Sequence, residues 1–112
     1  MDSVRQSKIA RLLQKELGNL FQVEGRNILP GKLITVTVVR VTPDLSLAKV
    51  YLSIFPRKPE EDDISAINLH HKMIRNELGR SIRHQVRIIP ELAFYLDDSM
   101  DYVEKIDRLL KK

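Results

Sequence analysis

The sequence has no cysteine and no tryptophan, and its three tyrosines and three phenylalanines make up only 5% of the 112 residues. Without cysteine the chain has neither disulfides nor thiolate metal sites, which fits a reducing compartment. It has no apolar run long enough to cross a membrane, and its first ten residues lack the apolar stretch of a signal peptide. We therefore expect one cytoplasmic domain, residues 1–112, with no membrane partner.

Charge is plentiful and unevenly placed. Lysine and arginine number 19 against 15 aspartates and glutamates, which gives a net charge of +4. The segment 70–87 holds five of the cations and one carboxylate, and outside it 14 charges of each sign remain. All three histidines also lie in this segment. The excess positive charge therefore resides in one short segment, which indicates an anionic partner.

Two segments have the apolar periodicity of helices. The first, residues 7–21 (SKIARLLQKELGNLF), is expected to end before Gly25 and Asn27, which break helices. The second covers residues 61–83, which is long for one helix in a domain of this size. We expect it to break into two helices near residues 70–72.

Three segments have the composition of strands. Residues 32–42 and 47–55 are rich in β-branched residues and are joined by a short turn at Pro43, so they predict an antiparallel hairpin. Residues 86–96 predict a third strand. Pro90 cannot donate to a ladder, so we expect it at an edge or a bulge.

The predicted order is helix, strand, strand, helix, helix and strand, followed by a short C-terminal helix over residues 102–110. Three strands cannot close on themselves, so helices must cover one face of the sheet. The sequence therefore predicts an α+β fold in which a three-stranded sheet has its helices packed on one face.

No catalytic or metal-binding motif is convincing. Ser46 and Lys49 match the S-x-x-K motif of some serine hydrolases, but that motif opens a helix and here it spans a turn and the start of a strand. His70 and His71 are adjacent and would diverge on a helix, so they cannot chelate one metal. The acidic residues 60–63 offer at most a weak divalent-ion site and fit a solvated helix N-terminus better. We expect no enzymatic activity, no cofactor and no small-molecule substrate.

Two sets of cations beside the apolar stripes of the helices are the candidate RNA-binding residues. If both helices pack on the same face of the sheet, the two sets could form one basic surface. Such a surface binds phosphates without reading sequence. The scarcity of aromatics argues against a protein that reads bases by stacking, so a folded RNA is the predicted partner. The main set is Lys72, Arg75, Arg80, Arg83 and Arg87, and the second set is Arg5, Lys8, Arg11 and Lys15.

Three blocks of the sequence resemble the ribosome-binding factor A family. They are RLLQKELGNLF (residues 11–21), TVTVVRVTPDLSLAKVYLSIF (residues 35–55) and IRNELGRSIRHQVRIIPELAFYLDDS (residues 74–99). The most specific parts are TPDLSLAKVYLS and the pattern R-x-x-P-E-L-x-F, which runs from Arg87 to Phe94. The resemblance covers residues 3–110, nearly the whole chain.

This resemblance implies a KH-like type II fold with the order α-β-β-α-α-β. It also implies the function of a bacterial assembly factor that is not an enzyme. Such a factor binds the free small (30S) ribosomal subunit, assists late maturation of 16S rRNA around its 5′ end and supports growth in the cold. We expect it to act as a monomer.

The chain departs from the family at the junction between two helices. Ordinary KH domains clamp nucleic acid with a G-x-x-G loop, and this family replaces that loop with an interhelical kink of the Ala-x-Gly type. The aligned positions here are His70-His71-Lys72, so the flexible glycine is missing. The kink geometry therefore has to be tested, and Lys72 is placed where it could touch phosphate.

Other interpretations stay open at this point. The cations could serve only to keep the helices solvated. The chain could also be a general KH-type RNA-binding protein without ribosome specificity, or a protein-interaction module whose basic patch binds an acidic protein. The TPDLS turn at residues 42–46 and the P-E-L residues 90–92 are expected to be structural rather than to bind RNA.

Overall fold

The computed structural model describes residues 3–58 and 60–97. The elements are α1 (Val4–Ile28), β1 (Leu33–Val41), β2 (Leu47–Phe55), α2 (Asp63–Asn68), α3 (His71–Ile82) and β3 (Glu91–Leu96). This order confirms the predicted α+β fold and is consistent with the KH-like arrangement α-β-β-α-α-β. The predicted C-terminal helix lies outside the described residues.

The sheet has the strand order β1-β2-β3. β1 and β2 are antiparallel and form the predicted hairpin, whereas β2 and β3 are parallel. A parallel pair needs a crossover connection, and α2 and α3 supply it. β2 is therefore the central strand, and β3 is at an edge of the described sheet.

The hydrophobic core lies between one face of the sheet and the helices. Leu13 and Leu17 of α1, Leu52 of β2 and Ile74 of α3 are completely buried in one cluster. Burying a side chain of this size contributes about 1.5–3 kcal/mol. Alternate residues of the three strands point into this cluster, and no described helix covers the other face of the sheet, which we call the open face.

Helix α1 is longer than the sequence predicts. It continues through the buried Gly25 to Ile28, and the amide of Leu29 donates to the Gly25 carbonyl at 2.8 Å. A glycine inside a helix costs about 1 kcal/mol relative to alanine, whereas burying Ile28 and Leu29 contributes about 1.5–3 kcal/mol each. Burial of the last turn outweighs the glycine, so the predicted helix end was wrong.

The second helical segment is broken close to the predicted place. α2 ends at Asn68 and α3 begins at His71. Leu69 and His70 between them have φ angles of −61° and −102°, and the His70 amide donates to the Ile67 carbonyl at 2.9 Å. Both φ angles are negative, and Lys72, at the position of the family glycine, lies within α3 and has no positive φ, so neither place needs a glycine. The missing family glycine is therefore compatible with a kink.

Strand β3 is shorter than predicted. Its first residue, Glu91, pairs with Leu47, which is the first residue of β2. Residues 86–90 therefore have no described strand beside them to pair with. Pro90, which lacks an N–H group, is buried directly before the strand. The predicted strand start at residue 86 was wrong, because a strand ends where its partner ends.

Candidate nucleic-acid interface

Four cations of the main set lie exposed on α3 and on the segment that follows it. No ion pair within residues 3–58 and 60–97 engages Lys72, Arg83 or Arg87. Arg80 is 77% exposed and lies 3.4 Å from a carboxylate oxygen of Glu77 in the same helix. An exposed pair of this kind is worth only about 0–1 kcal/mol, so a phosphate can compete for Arg80.

Arg75, the fifth member of the main set, is engaged within the fold. Its guanidinium donates to the Ile89 carbonyl at 3.0 Å and lies 3.4 Å from a carboxylate oxygen of Glu91. Its Nε is buried and has no hydrogen-bond partner among the described residues. Arg75 therefore ties α3 to the segment before β3, and less of its charge is available to a ligand than that of Arg83.

Close packing holds the same segment, residues 83–90, against α3. A Cβ atom added at Gly79 would lie 3.0 Å from Cδ1 of Ile89, which is tighter than ordinary contact. Glycine at position 79 permits this approach, and the Arg75 bond to Ile89 fixes it. The backbone that carries Arg87 is therefore positioned by two contacts with α3.

His71 fixes the start of α3, next to the junction where a KH domain would have its loop. Its ring lies edge-on to that of Phe94, with 6.3 Å between the centroids and 78° between the planes. Its Nε2 lies 3.2 Å from the Leu92 carbonyl oxygen, and because a carbonyl only accepts, Nε2 donates in this contact. His71 is thus an anchor to β3, while Lys72 beside it is exposed.

The second set of cations lies on the exposed side of α1. Ser3 and Gln6 form a capping box at the helix start, and Nε2 of Gln6 donates to the Val41 carbonyl at 2.8 Å. This buried bond ties the first turn of α1 to the end of β1. All four cations are exposed, and no ion pair in the described part of the chain engages them: Arg5, Lys8, Arg11 and Lys15.

A groove lies between α1 and α3 where these helices meet. It is lined by three carboxylates and four neutral side chains: Glu16, Glu24, Glu77, Asn19, Leu20, Val23 and Ser81. No predicted RNA-binding cation lines this groove. A phosphate in it would face like charges. The structure therefore places the main set on α3 and the segment after it, and this groove does not join that set to the second set on α1.

The turn between β1 and β2 is stabilised by its own side chains. Asp44 accepts hydrogen bonds from the hydroxyls of Ser46 and Thr42, both at 2.7 Å, and from the Ser46 amide at 3.1 Å. These bonds lower the pKa of Asp44 from its ordinary value of 3.8. Leu45 adopts the left-handed conformation with φ at 62°. The Ser46 hydroxyl therefore stabilises the turn. The S-x-x-K spacing of Ser46 and Lys49 arises because the turn leads directly into β2.

The acidic segment before α2 is engaged by other protein groups. Nζ of Lys32 donates to Glu61 and to Asp63 Oδ1, the latter at 2.7 Å, and Asp62 caps α2 by accepting from the Ser65 amide at 3.1 Å. The hydrogen bonds that Lys32 donates to Asp63 and Glu61 raise the pKa of Lys32, and the bond to Lys32 lowers the pKa of Glu61. Among the described residues no group of three or more His, Cys, Asp or Glu could hold a metal ion. None of the helices in this part of the chain is long and apolar enough to cross a membrane.

Sequence reasoning missed a group of polar and aromatic residues on the open face of the sheet. Arg40 of β1 lies directly opposite Lys49 of β2, and the ring of Tyr51 stacks on that of Tyr95. Alternation along β2 places Lys49 and Tyr51 on one face, and this signal was readable from the sequence. Their neighbours on β1 and β3 were not readable, because they depend on the pairing register.

A family model described as Ribosome-binding factor A matches residues 5–110 of the chain. The chain belongs to the ribosome-binding factor A family. A protein of that name from Cytophaga hutchinsonii is 48% identical over 112 residues, which cover 100% of this chain and 84% of the relative. One from Christiangramia forsetii is 46% identical over 111 residues, which cover 96% of this chain and 82% of the relative.

Solved structures of family members have a similar fold. The crystal structure of ribosome-binding factor A from Thermus thermophilus aligns with a TM-score of 0.66 and 26% identity, covering 81% of this chain and 94% of that chain. A homology model of the Thermus thermophilus factor, fitted into a cryo-EM map of a 30S–RbfA complex, aligns with a TM-score of 0.63 and 24% identity, covering 80% of this chain and 91% of that chain. The second likeness, at its lower identity, shows the shared fold alone.

Proposed function

We propose that this protein binds the free small (30S) ribosomal subunit and assists late maturation of its 16S rRNA, including during growth in the cold. The match to the ribosome-binding factor A family over residues 5–110 carries this proposal. The family is named for ribosome binding, and the Thermus thermophilus member has been fitted into a map of a 30S complex. In this proposal residues 1–112 act as one KH-like domain, as a monomer in the cytoplasm, by binding and without catalysis or a cofactor.

In this proposal four exposed cations of the main set make the principal phosphate contacts: Lys72, Arg80, Arg83 and Arg87. Their exposure supports the assignment. The ion pair between Arg80 and Glu77, which is the one that engages any of them in the described part of the chain, is weak. Arg75 positions the segment that carries Arg87 and adds the charge of its exposed part. These contacts give affinity and orientation without reading bases.

The second set, Arg5, Lys8, Arg11 and Lys15, binds a different stretch of RNA backbone in this proposal. The glutamates of the groove between α1 and α3 support this division, because a phosphate chain crossing them would be repelled. A rigid helical layer with two separate basic sets holds two RNA segments at a fixed distance. This is the action expected of a factor that holds rRNA in one arrangement during maturation and then leaves.

Sedimentation through a sucrose gradient tests the proposal directly. The protein is mixed with small subunits, large subunits or whole ribosomes at two salt concentrations. We expect co-migration with small subunits only. Less protein should co-migrate at the higher salt, because salt cations compete with the protein for the RNA phosphates. No co-migration with any particle, from a folded protein, would contradict the proposal.

A double charge reversal, Arg80→Glu with Arg83→Glu, tests the main set. Each phosphate contact that is lost reduces the steepness of the plot of log affinity against log salt by about 0.7–0.9. The slope of the double variant should therefore be shallower by about 1.4–1.8. Its affinity for small subunits should fall by about tenfold or more. The matched control is Arg26→Glu with Lys58→Glu, which changes the net charge equally at exposed positions outside both sets.

The same measurements separate the alternative functions. A general KH-type RNA-binding protein would bind unstructured single-stranded RNA about as well as it binds subunits. A protein-interaction module would bind its partner after nuclease treatment and would ignore RNA. An unchanged affinity and salt slope in the Arg80 and Arg83 double variant would show that the main set is not the contact surface.

A further inference from the structure

The open face of the sheet carries a compact group of five side chains that we call the sheet-face cluster: Arg40, Lys49, Tyr51, Ala93 and Tyr95. The register places Lys49 between Arg40 of β1 and Ala93 of β3. Two residues along the strands, Tyr51 lies between Val38 of β1 and Tyr95 of β3. Two cations therefore stand next to two aromatic rings on one flat surface.

The two tyrosine rings form a stack that no other described aromatic ring extends. Their centroids are 5.4 Å apart and the planes differ by 27°. Tyr51 is half-buried between Val38 and its partner, whereas Tyr95 stands on an edge strand of the described sheet and is 43% exposed. The outer ring face of Tyr95 can therefore accept another planar group, which would extend the stack.

The cations of the sheet-face cluster have no ion-pair partner in the described part of the chain that would explain their position. Arg40 and Lys49 are exposed and directly opposite each other, and like charges in such a cross-strand pair destabilise a sheet. No ion pair within the described residues engages either of them. A bound anion would relieve this repulsion, so the pair indicates an anionic ligand beside the rings.

The few aromatic residues of the chain are concentrated on this face. Phe21 and Phe94 are buried in the core, and the three described aromatics that are not buried, Tyr51, Phe55 and Tyr95, all stand on the open face. The low aromatic content argued against a base-stacking protein when only the composition was known. The structure changes that argument, because stacking needs few rings if they are placed together.

We propose that the sheet-face cluster binds a single-stranded RNA segment, with one base stacked on the outer ring face of Tyr95 and phosphates held by Lys49 and Arg40. A planar base would stack on the ring of Tyr95, and phosphates of the RNA backbone would neutralise the charges of Lys49 and Arg40. The small side chain of Ala93 leaves the path between Tyr95 and Lys49 unobstructed. An acidic protein segment would satisfy the cations but would leave the open ring face unexplained.

This inference goes beyond the proposed function, since it assigns another face of the molecule and another form of RNA. Its test therefore uses the full chain without ribosomes. Fluorescence anisotropy measures binding of a fluorescein-labelled oligouridylate octamer, which has no secondary structure of its own. The octamer should bind measurably but more weakly than small subunits do, because it engages the sheet-face cluster alone. Failure to bind the octamer would overturn this inference and leave the proposal of subunit binding unaffected. Failure to bind small subunits would overturn the proposal of subunit binding and leave this inference unaffected.

Replacing Tyr95 tests the stack. Tyr95→Leu should weaken octamer binding by about tenfold or more, while Tyr95→Phe, which keeps the ring and removes the hydroxyl, should bind as the wild type does. Phe55→Leu is the matched control, because it removes an exposed aromatic ring from the same face outside the cluster. Equal affinities of the Tyr95→Leu variant and the wild type would overturn the inference.

Replacing Lys49 tests the anion contact without depending on the tyrosine variants. Lys49→Gln should lower the salt slope of octamer binding by about 0.7, and its Tm should stay the same or rise because a like-charge pair is removed. The control Lys58→Gln removes one charge elsewhere on the surface. An unchanged salt slope in Lys49→Gln, or the same loss in both variants, would overturn the inference.

Discussion

The two faces of the sheet are related to the core in opposite ways. On the helical side, α1 and α3 present cations outward while the same helices bury Leu13, Leu17 and Leu78 against the strands. On the open side, the residues of the sheet-face cluster point away from the core entirely. A change on the helical side can thus alter both folding and binding, whereas a change on the open side alters little except binding.

The same contrast exists within the main set of cations. Arg75 and Arg83 are both on or next to α3, and both count equally toward the charge of the segment. Arg75 is bonded to Ile89 and Glu91, but Arg83 has no ion pair among the described residues. A count of charges therefore overestimates the charge that a ligand meets.

The largest expected difference between the two faces is in core truncation. Leu78→Ala on α3 should lower the free energy of unfolding by about 2–5 kcal/mol, because Leu78 is 1% exposed and its loss leaves a cavity. Val38→Ala on the open face, where Val38 is 37% exposed, should cost less than about 1 kcal/mol. Urea unfolding measures both, and similar losses would show that the open face is covered by other groups.

The next largest effect should distinguish the two arginines. Arg75→Met removes a charged donor from the Ile89 carbonyl and should lower the free energy of unfolding by about 1–2 kcal/mol. Arg83→Met should change it by less than about 0.5 kcal/mol. Denaturant unfolding gives both values, and amide exchange of residues 83–90 should become faster only in the Arg75 variant. Equal free energies of unfolding for the Arg75→Met and Arg83→Met variants would contradict a structural role of Arg75.

The smallest effect should come from the turn that joins β1 and β2, and its sign depends on pH. The hydrogen bonds from Ser46 and Thr42 lower the pKa of Asp44, so its carboxylate stabilises the fold above the ordinary value of 3.8. That contribution is lost as the pH falls through the lowered pKa. Asp44→Asn should therefore reduce the Tm at neutral pH, and the gap to the wild type should close in acid. A gap that is constant with pH would contradict this account.

Much of the fold could be predicted from local sequence, and the errors have a common cause. The hairpin strands were predicted almost to the residue because β-branched runs and a turn at Pro43 specify them locally. The end of α1 was wrong because burial of Ile28 outweighed Gly25, and the start of β3 was wrong because its pairing partner begins at Leu47. Both errors concern tertiary contacts that override local preference.

The candidate interface was predictable to the same degree. The exposed cations of α1 and α3 follow from helical spacing, and their exposure agrees with it. The three glutamates of the groove were visible as residues, but only packing shows that they line one groove between α1 and α3. The stack of Tyr51 and Tyr95 requires the parallel register of β2 and β3, which no local pattern contains.

The parallel pairing of β2 and β3 also determines when each surface comes into existence. The hairpin forms from neighbouring residues, but β3 can dock only after the chain has closed a long loop that contains α2 and α3. Contacts of such high sequence separation tend to form slowly, and the N-terminal part of a chain is synthesised first. The α1 cations are thus in place once a single helix has formed, whereas the tyrosine stack assembles only with the last described strand. Binding of a ligand to the sheet-face cluster would therefore require that β3 has already docked beside β2.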